Sequence, residues 1–195
     1  MTPYARMASA FPSRGRILDL GSGHGLLAIM LSNSSSAREI IGIDHDPGRV
    51  RLAGLAMARS ANGSRSRFEV GDLETALSRF ADRSLAGIAM IDVLHYFDPE
   101  AQTALLQHAK RVLEVGGVLV VREVDSEGGV AAIWNRLYEY AATRVGFTRS
   151  ASKQLHFRSA AEWTTVLEDA GFTLSSEKCG PRIFSDVLFM GTITR

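Results

Sequence analysis

One cysteine, five prolines and almost no net charge define what this 195-residue chain does without. The single cysteine, Cys179, excludes an intrachain disulfide and a multi-cysteine zinc site, and fits a reducing compartment. Lys plus Arg is 22 and Asp plus Glu is 21, so the net charge is +1 and no global field gathers nucleic acid or an anionic membrane. A local basic patch is compatible with that balance. No run approaches the ~20 apolar residues that cross a bilayer, and residues 1–13 lack the apolar stretch of a signal peptide. There is no repeat of fixed period, and the one low-complexity patch, Ser32-Asn-Ser-Ser-Ser36, has the make-up of a surface loop. The expectation is one cytoplasmic domain, 1–195, without a membrane span and without nucleic acid as a partner.

What the chain does have is a stretch, residues 16–30, that reads as a buried strand, a glycine turn and the start of a helix. Ile17, Leu18 and Leu20 suit a parallel strand, while Leu26, Leu27, Ile29 and Met30 predict an apolar helical face. Between them, Gly21, Gly23 and Gly25 let the backbone turn sharply and let a ligand approach amides at a helix N-terminus with no Cβ in the way. A dinucleotide fingerprint wants its third glycine at 26, where this chain has Leu26, and that disfavours a pyrophosphate ligand.

Strand and helix patterns then alternate. Residues 39–44 form a second apolar run ending in Asp44, about 20 residues past the first glycines, where a Rossmann-like sheet presents a carboxylate to ribose hydroxyls. Asp46 reads as an N-cap before Pro47 and a helix over 48–60 with Val50, Leu52, Leu55, Ala56 and Met57 as its apolar residues. A third strand, 67–71, runs into Asp72-Leu73 and a helix to 80. The fourth, 85–91, is apolar throughout, as in a sheet buried on both faces, and ends in Asp92-Val-Leu-His95. A helix over 100–115 closes at Gly116-Gly117 before strand 118–121. Residues 129–146 read as a helix bearing Ile133, Trp134, Leu137, Tyr138 and Tyr140. The capping box Ser159-Ala-Ala-Glu162 opens another to 170, and strands 172–177 and 187–193 end the series.

Asp19-x-Gly21-x-Gly23-x-Gly25 resembles motif I of the class I S-adenosylmethionine-dependent methyltransferases. Arg111-Val-Leu-Glu-Val-Gly-Gly-Val-Leu-Val-Val121 resembles the family's passage into strand five, and the resemblance runs in order over 16–193. It implies an α/β, Rossmann-like doubly wound sheet of seven strands, mostly parallel with an antiparallel last strand, and helices on both faces. It implies S-adenosyl-L-methionine as cofactor, released as S-adenosyl-L-homocysteine. The cofactor-binding residues it implies are Asp19, Gly21, Ser22, Gly23 and Gly25 in the turn, Asp44 and His45 at the ribose, Asp72 and Leu73 near the adenine, and Asp92. The Asp72 side chain has a second, compatible reading as a helix cap. Segments 1–15 and 126–158 are expected to cover cofactor and substrate. The stretch after strand four lacks the Asp/Asn-Pro-Pro-Tyr/Phe signature of amino-group methyltransferases and a Pro-Cys pair, so nucleic-acid modification drops away. Gly-His-Gly in the turn, Asp-Val-Leu-His after strand four and Arg-Glu-Val-Asp after strand five resemble methyltransferases of bacterial polyene-pigment and lipid biosynthesis.

Methyl transfer from a sulfonium is an in-line displacement with an activated leaving group, so the protein chiefly positions the acceptor and excludes water. A hydroxyl acceptor gains from a nearby base, and a carboxylate needs none. His95, His24 and His156 are the candidate catalytic groups, with Tyr96 and Glu123 as possible hydrogen-bond partners. Asp92 with Glu123 or Asp125 resembles part of the cation site of catechol methyltransferases, but the fuller ligand set does not align, and no metal is assigned. The reading is O-methylation of an aromatic or lipid-like hydroxyl or carboxyl on a small molecule. The alternatives are a non-catalytic S-adenosylmethionine-binding protein acting through partners and an NAD-dependent oxidoreductase.

Overall fold

The apolar runs assemble as one seven-stranded sheet in the order β3-β2-β1-β4-β5-β7-β6, where β1 is Gly15–Leu20, β2 Arg38–Asp44, β3 Ser66–Val70, β4 Leu85–Ile91, β5 Leu113–Val124, β6 Thr173–Lys178 and β7 Asp186–Thr192. The computed structural model describes residues 4–60, 63–127, 155–179 and 185–194. The helix expected over 129–146 and most of the 126–158 cover lie outside them. Strands β1 to β5 pair in parallel, and β7 runs antiparallel to both β5 and β6. The chain winds from β1 outward to β3, then returns to β4 on the other side of β1. That reversal makes the C-terminal edge between β1 and β4 the topological switch point, the place where open α/β sheets form their ligand-binding crevice.

Alternation along the strands sends side chains to two cores. Leu18, Leu20, Ile41, Ile88 and Val121 meet α4 (Leu73–Ala76), α5 (Pro99–Val112) and α6 (Ala160–Asp169), with Trp163 the largest side chain between them. Ile17, Ile40, Ala89 and Val120 meet α1 (Tyr4–Ala10), α2 (Leu26–Ser34) and α3 (Pro47–Met57). On that side Phe11 lies flat on β4, so close that a Cβ at Gly87 would stand 2.5 Å from its ring. Buried Arg38 ties the layer together, donating to the carbonyls of Phe11 (2.9 Å), Pro12 (2.7 Å) and Leu31 (3.2 Å). A cation at the C-terminal ends of two helices is favoured by their dipoles.

The elements depart from the sequence pattern in several places, among them the serine patch read as a surface loop, whose Ser32–Ser34 end α2 with Ser32 buried. The buried face of α2 is Leu27, Ala28 and Leu31, and that of α3 is Ala53 and Met57. Leu26, Leu52 and Leu55 instead stand 51%, 45% and 52% exposed, because only one stripe at three- and four-residue spacing can face the sheet. The helix expected to reach 115 stops at Val112, and Gly116-Gly117 lies inside β5: the register jumps from Leu85↔Leu113 to Gly87↔Val118, a bulge that Gly116 accommodates at φ 78°. The helix expected to reach residue 80 ends as α4 at Ala76 and continues as a 3-10 turn, Leu77–Arg79.

Candidate active site

The glycine turn is built by three left-handed residues, Gly21 (φ 78°), Gly23 (52°) and Gly25 (77°), a region that side chains with a Cβ rarely enter. Gly21 and Ser22 both donate to the Ile43 carbonyl, at 2.8 and 3.0 Å, which fastens the turn to β2. A Cβ at Gly25 would meet Phe68 at 2.7 Å and Ala53 at 2.9 Å, so this glycine lets the turn sit down on β3 and α3. A Cβ at Gly23 would meet nothing within 4 Å, which leaves open space above the middle of the turn. Ser22 is buried, its Oγ facing the place a Cβ on Gly42 would occupy, 2.9 Å away. His24 is exposed at the tip.

Two carboxylates lie beneath. Asp44, buried at the end of β2, accepts from the amides of Gly23 (2.8 Å) and Asp46 (2.9 Å), with His45 Nδ1 at 3.5 Å. Those contacts leave it acceptor capacity for further hydroxyls. Asp19, buried at the end of β1, accepts the Ala28 amide of α2. Burial, reinforced by the negative charge of Asp44, pushes the Asp19 carboxyl up to about 7. At the neighbouring strand end, Asp72 is exposed and caps α4, accepting from Glu74 N at 3.1 Å, while the Leu73 side chain belongs to the core. Asp46 caps α3 through the amides of Gly48 (2.7 Å) and Arg49 (3.0 Å).

Across the crevice, the chain leaves β4 through Asp92 in the left-handed conformation (φ 54°). Its carboxylate receives Arg122 Nε at 2.8 Å and Arg122 Nη2, a two-pronged pair from the adjacent strand. The 3-10 turn Leu94–Tyr96 follows, clipped from below by buried Glu123. That carboxylate accepts from Val93 N (3.1 Å), Leu94 N (2.7 Å) and His95 Nδ1 (2.7 Å). His95 is 1% exposed and lies between Phe157, stacked at 5.0 Å, and Tyr96 at 4.2 Å. Half-buried His156 joins the same wall, its amide donating to the His95 carbonyl at 2.8 Å. Gln102, fully buried on α5, completes the wall: its Nε2 donates to the carbonyls of Leu94 and Phe97 (both 3.1 Å) and His156 (3.0 Å), and its Oε1 accepts Arg158 Nε at 2.7 Å.

The structure therefore brings Asp19, Asp44 and the glycine turn together on one bank and Asp92, His95 and His156 on the other, with His24 at the rim. The banks touch, since a Cβ on Gly21 would meet Val93 Cγ2 at 2.8 Å. Sequence reasoning missed Arg122, Gln102 and Arg158. A signal existed for two of them: Gln102 interrupts the apolar stripe of α5, and Arg122 interrupts that of β5. The carboxylates weighed for a cation are engaged elsewhere: Asp92 by Arg122, Glu123 by three N–H groups, and Asp125 by the amides of Glu127 and Ala160, both at 3.1 Å. Among the described residues, no three metal-ligating side chains cluster.

Comparison with known proteins agrees with this architecture. A family model described as a methyltransferase domain matches residues 2–177. No curated protein sequence matches the chain. An S-adenosylmethionine-dependent methyltransferase structure from Methanosarcina mazei is 18% identical, with 99% of each chain covered and a TM-score of 0.74. An O-methyltransferase family protein from Burkholderia thailandensis is 18% identical over 98% of this chain and 55% of its own, with a TM-score of 0.76. The chain solved with the Haloferax volcanii Trm112 methyltransferase activator is 19% identical over 98% and 89%, with a TM-score of 0.76. The open cradle over Gly23 and the Asp44 carboxylate beside it suit an adenosine ribose, and the matched family sets the NAD alternative aside. With nine-tenths of its length matched by that family model, the chain belongs to the methyltransferase-domain family and is a class I S-adenosylmethionine-dependent methyltransferase.

Proposed function

We propose that this protein transfers the methyl group to the oxygen of a small molecule, an aromatic or lipid-like hydroxyl or carboxyl. The observation that supports it is the acceptor bank: Tyr96 and Phe157 flank His95 beside the end of β4, in a wall held by buried Glu123 and Gln102. Such a wall offers aromatic surface and the imidazoles of His95 and His156 while excluding water. The bound cofactor supplies an electrophilic methyl. For the protein's part, Asp44 accepts from the ribose hydroxyls, the amides and open space of the turn hold the rest of the cofactor, and the 72–73 backbone meets the adenine. His45 and Asp92 border the same ligand.

His95 is the proposed base for a hydroxyl acceptor. Glu123 on Nδ1 fixes the tautomer that makes Nε2 the basic nitrogen, the arrangement by which a carboxylate orients a histidine. His156 and His24 are the second and third candidates, on the wall and at the rim. Residues 1–15 and 126–158 are proposed as covers, and the cytoplasm as the compartment. Among the described residues, no helix is long and apolar enough to cross a membrane.

The test is a screen of phenols and aryl or fatty carboxylates with labelled S-adenosylmethionine, wild type against His95→Gln. Methylation of a phenol that falls at least ~100-fold in the variant, as expected for a general base, supports the reading. Activity on nucleic acid or protein alone would overturn it. The neighbour solved with an activator supports a second reading, in which turnover depends on a protein partner; full activity of the purified chain would remove it.

A further inference from the structure

An arginine near the end of an interior strand is unusual, and Arg122 is only 7% exposed between β4 and β7. Alternation with Val120 places it on the side of the sheet that carries α1 and α2, the side of Asp19 and Asp44. One edge of its fork, Nε and Nη2, is spent on Asp92. The remaining nitrogen, Nη1, is equally buried and has no hydrogen-bond partner among the described residues. A buried donor left unmade is costly, and its pairing with Asp92 cancels charge without satisfying it. The same spot has an uncommon backbone, since Asp92 is left-handed, a conformation that few residues besides glycine, asparagine and aspartate adopt. Both lie at the C-terminal edge, beside the crevice between β1 and β4.

We infer that Arg122 anchors a ligand carboxylate in the methyl-transfer site, Nη1 donating to one oxygen while Asp92 holds the guanidinium in place. The inference rests on the methyltransferase reading of the same crevice. A carboxylate fits better than a phosphate: Asp92 already balances the arginine, so the site offers N–H groups and no net positive charge, which suffices for a singly charged oxygen pair and does not offset the cost of desolvating a dianion. Two sources share this chemistry, the amino-acid end of the cofactor and a carboxylate on the acceptor.

The experiment is calorimetric titration of the intact chain with S-adenosylhomocysteine, with 5′-methylthioadenosine, which lacks the amino-acid end, and with benzoate or octanoate added to S-adenosylhomocysteine-saturated protein. Wild type is compared with Arg122→Gln, whose amide can still donate to the part-exposed Asp92 carboxylate, and with Arg122→Lys, which keeps the charge and serves if the glutamine variant does not fold. If the cofactor is the source, S-adenosylhomocysteine weakens ~10–100-fold in the glutamine variant, less in the lysine variant, and methylthioadenosine does not change. If the acceptor is the source, both nucleosides bind as before and the carboxylate probes are lost. Unchanged binding of every probe in the folded glutamine variant, or in the lysine variant where glutamine does not fold, overturns the anchor. Failure of both nucleosides on the wild type would instead overturn the cofactor site, and the anchor with it.

Discussion

Asp19 carries the pH dependence of this fold in a form that can be separated from every other carboxylate. Its ordinary value is 3.8, and in the fold it holds its proton until about 7. Between those values the folded state binds more protons than the unfolded chain, so this contribution is fully present below pH 3.8 and fades as pH rises through 7. Glu39, Glu69 and Glu162 are shifted the opposite way by their arginine or amide partners, and the measurement must therefore be a difference. Urea melts of wild type and Asp19→Asn across pH 4 to 7 are expected to diverge, the wild type losing a few kcal/mol relative to the variant; parallel curves would mean that Asp19 ionises normally. Asp44→Ala is expected to weaken S-adenosylhomocysteine by ~1–3 kcal/mol through lost hydroxyl acceptance, read by calorimetry on a variant of unchanged circular dichroism. Glu123→Ala strands two buried amides and His95, and should cost ~3–5 kcal/mol of stability in the same urea assay. Spacing alone pointed to Asp44, because its place after the glycines is set by one helix and one strand. Glu123 was legible as a possible partner of the histidines, whereas Gln102 and Arg122 show in the sequence only as breaks in apolar stripes, because their contacts span 54 and 30 residues.

Helix α6 begins with a reciprocal cap: Ser159 Oγ accepts from Glu162 N at 3.2 Å while the Glu162 carboxylate accepts from Ser159 N at 2.6 Å. Ser159→Ala should cost ~1 kcal/mol, visible as a lower urea midpoint with an unchanged slope. This motif was readable because a capping box lies within four residues, and so were the interior strands β1, β2 and β4, whose continuous apolar runs exist only where both faces are covered. The faces of α2 and α3 were less readable. Their sequences are apolar or mixed on several sides, and the sheet selects Leu27, Ala28 and Leu31, or Ala53 and Met57, through packing. Gly116-Gly117 misled for a related reason: a glycine pair stops a helix and bulges a strand equally well, and the pairing of β5 with β4 decides between them.

Across the whole molecule, the two cores differ in how they are closed. The one beneath α5 and α6 is closed by helices from the middle and the last third of the sequence, whereas the other takes in α1 and Phe11 over β4 beside α2 and α3, with Arg38 holding that segment by its carbonyls. Phe11→Ala should therefore cost ~3–5 kcal/mol, close to a full core aromatic despite its place near the start of the sequence; a loss below ~1 kcal/mol in urea would show the segment to be dispensable. The order of the strands also bears on how the molecule comes into being. A ribosome delivers residues one way, at roughly 5–20 per second, yet β7, last of the seven to emerge, is the strand that separates β5 from β6. Until residues 186–192 leave the exit tunnel, β5 has an open flank and β6 has nothing to pair with. A growing chain thus carries a half-finished sheet with a raw edge beside Arg122, and for that interval it depends on whatever shields nascent strands in the cell.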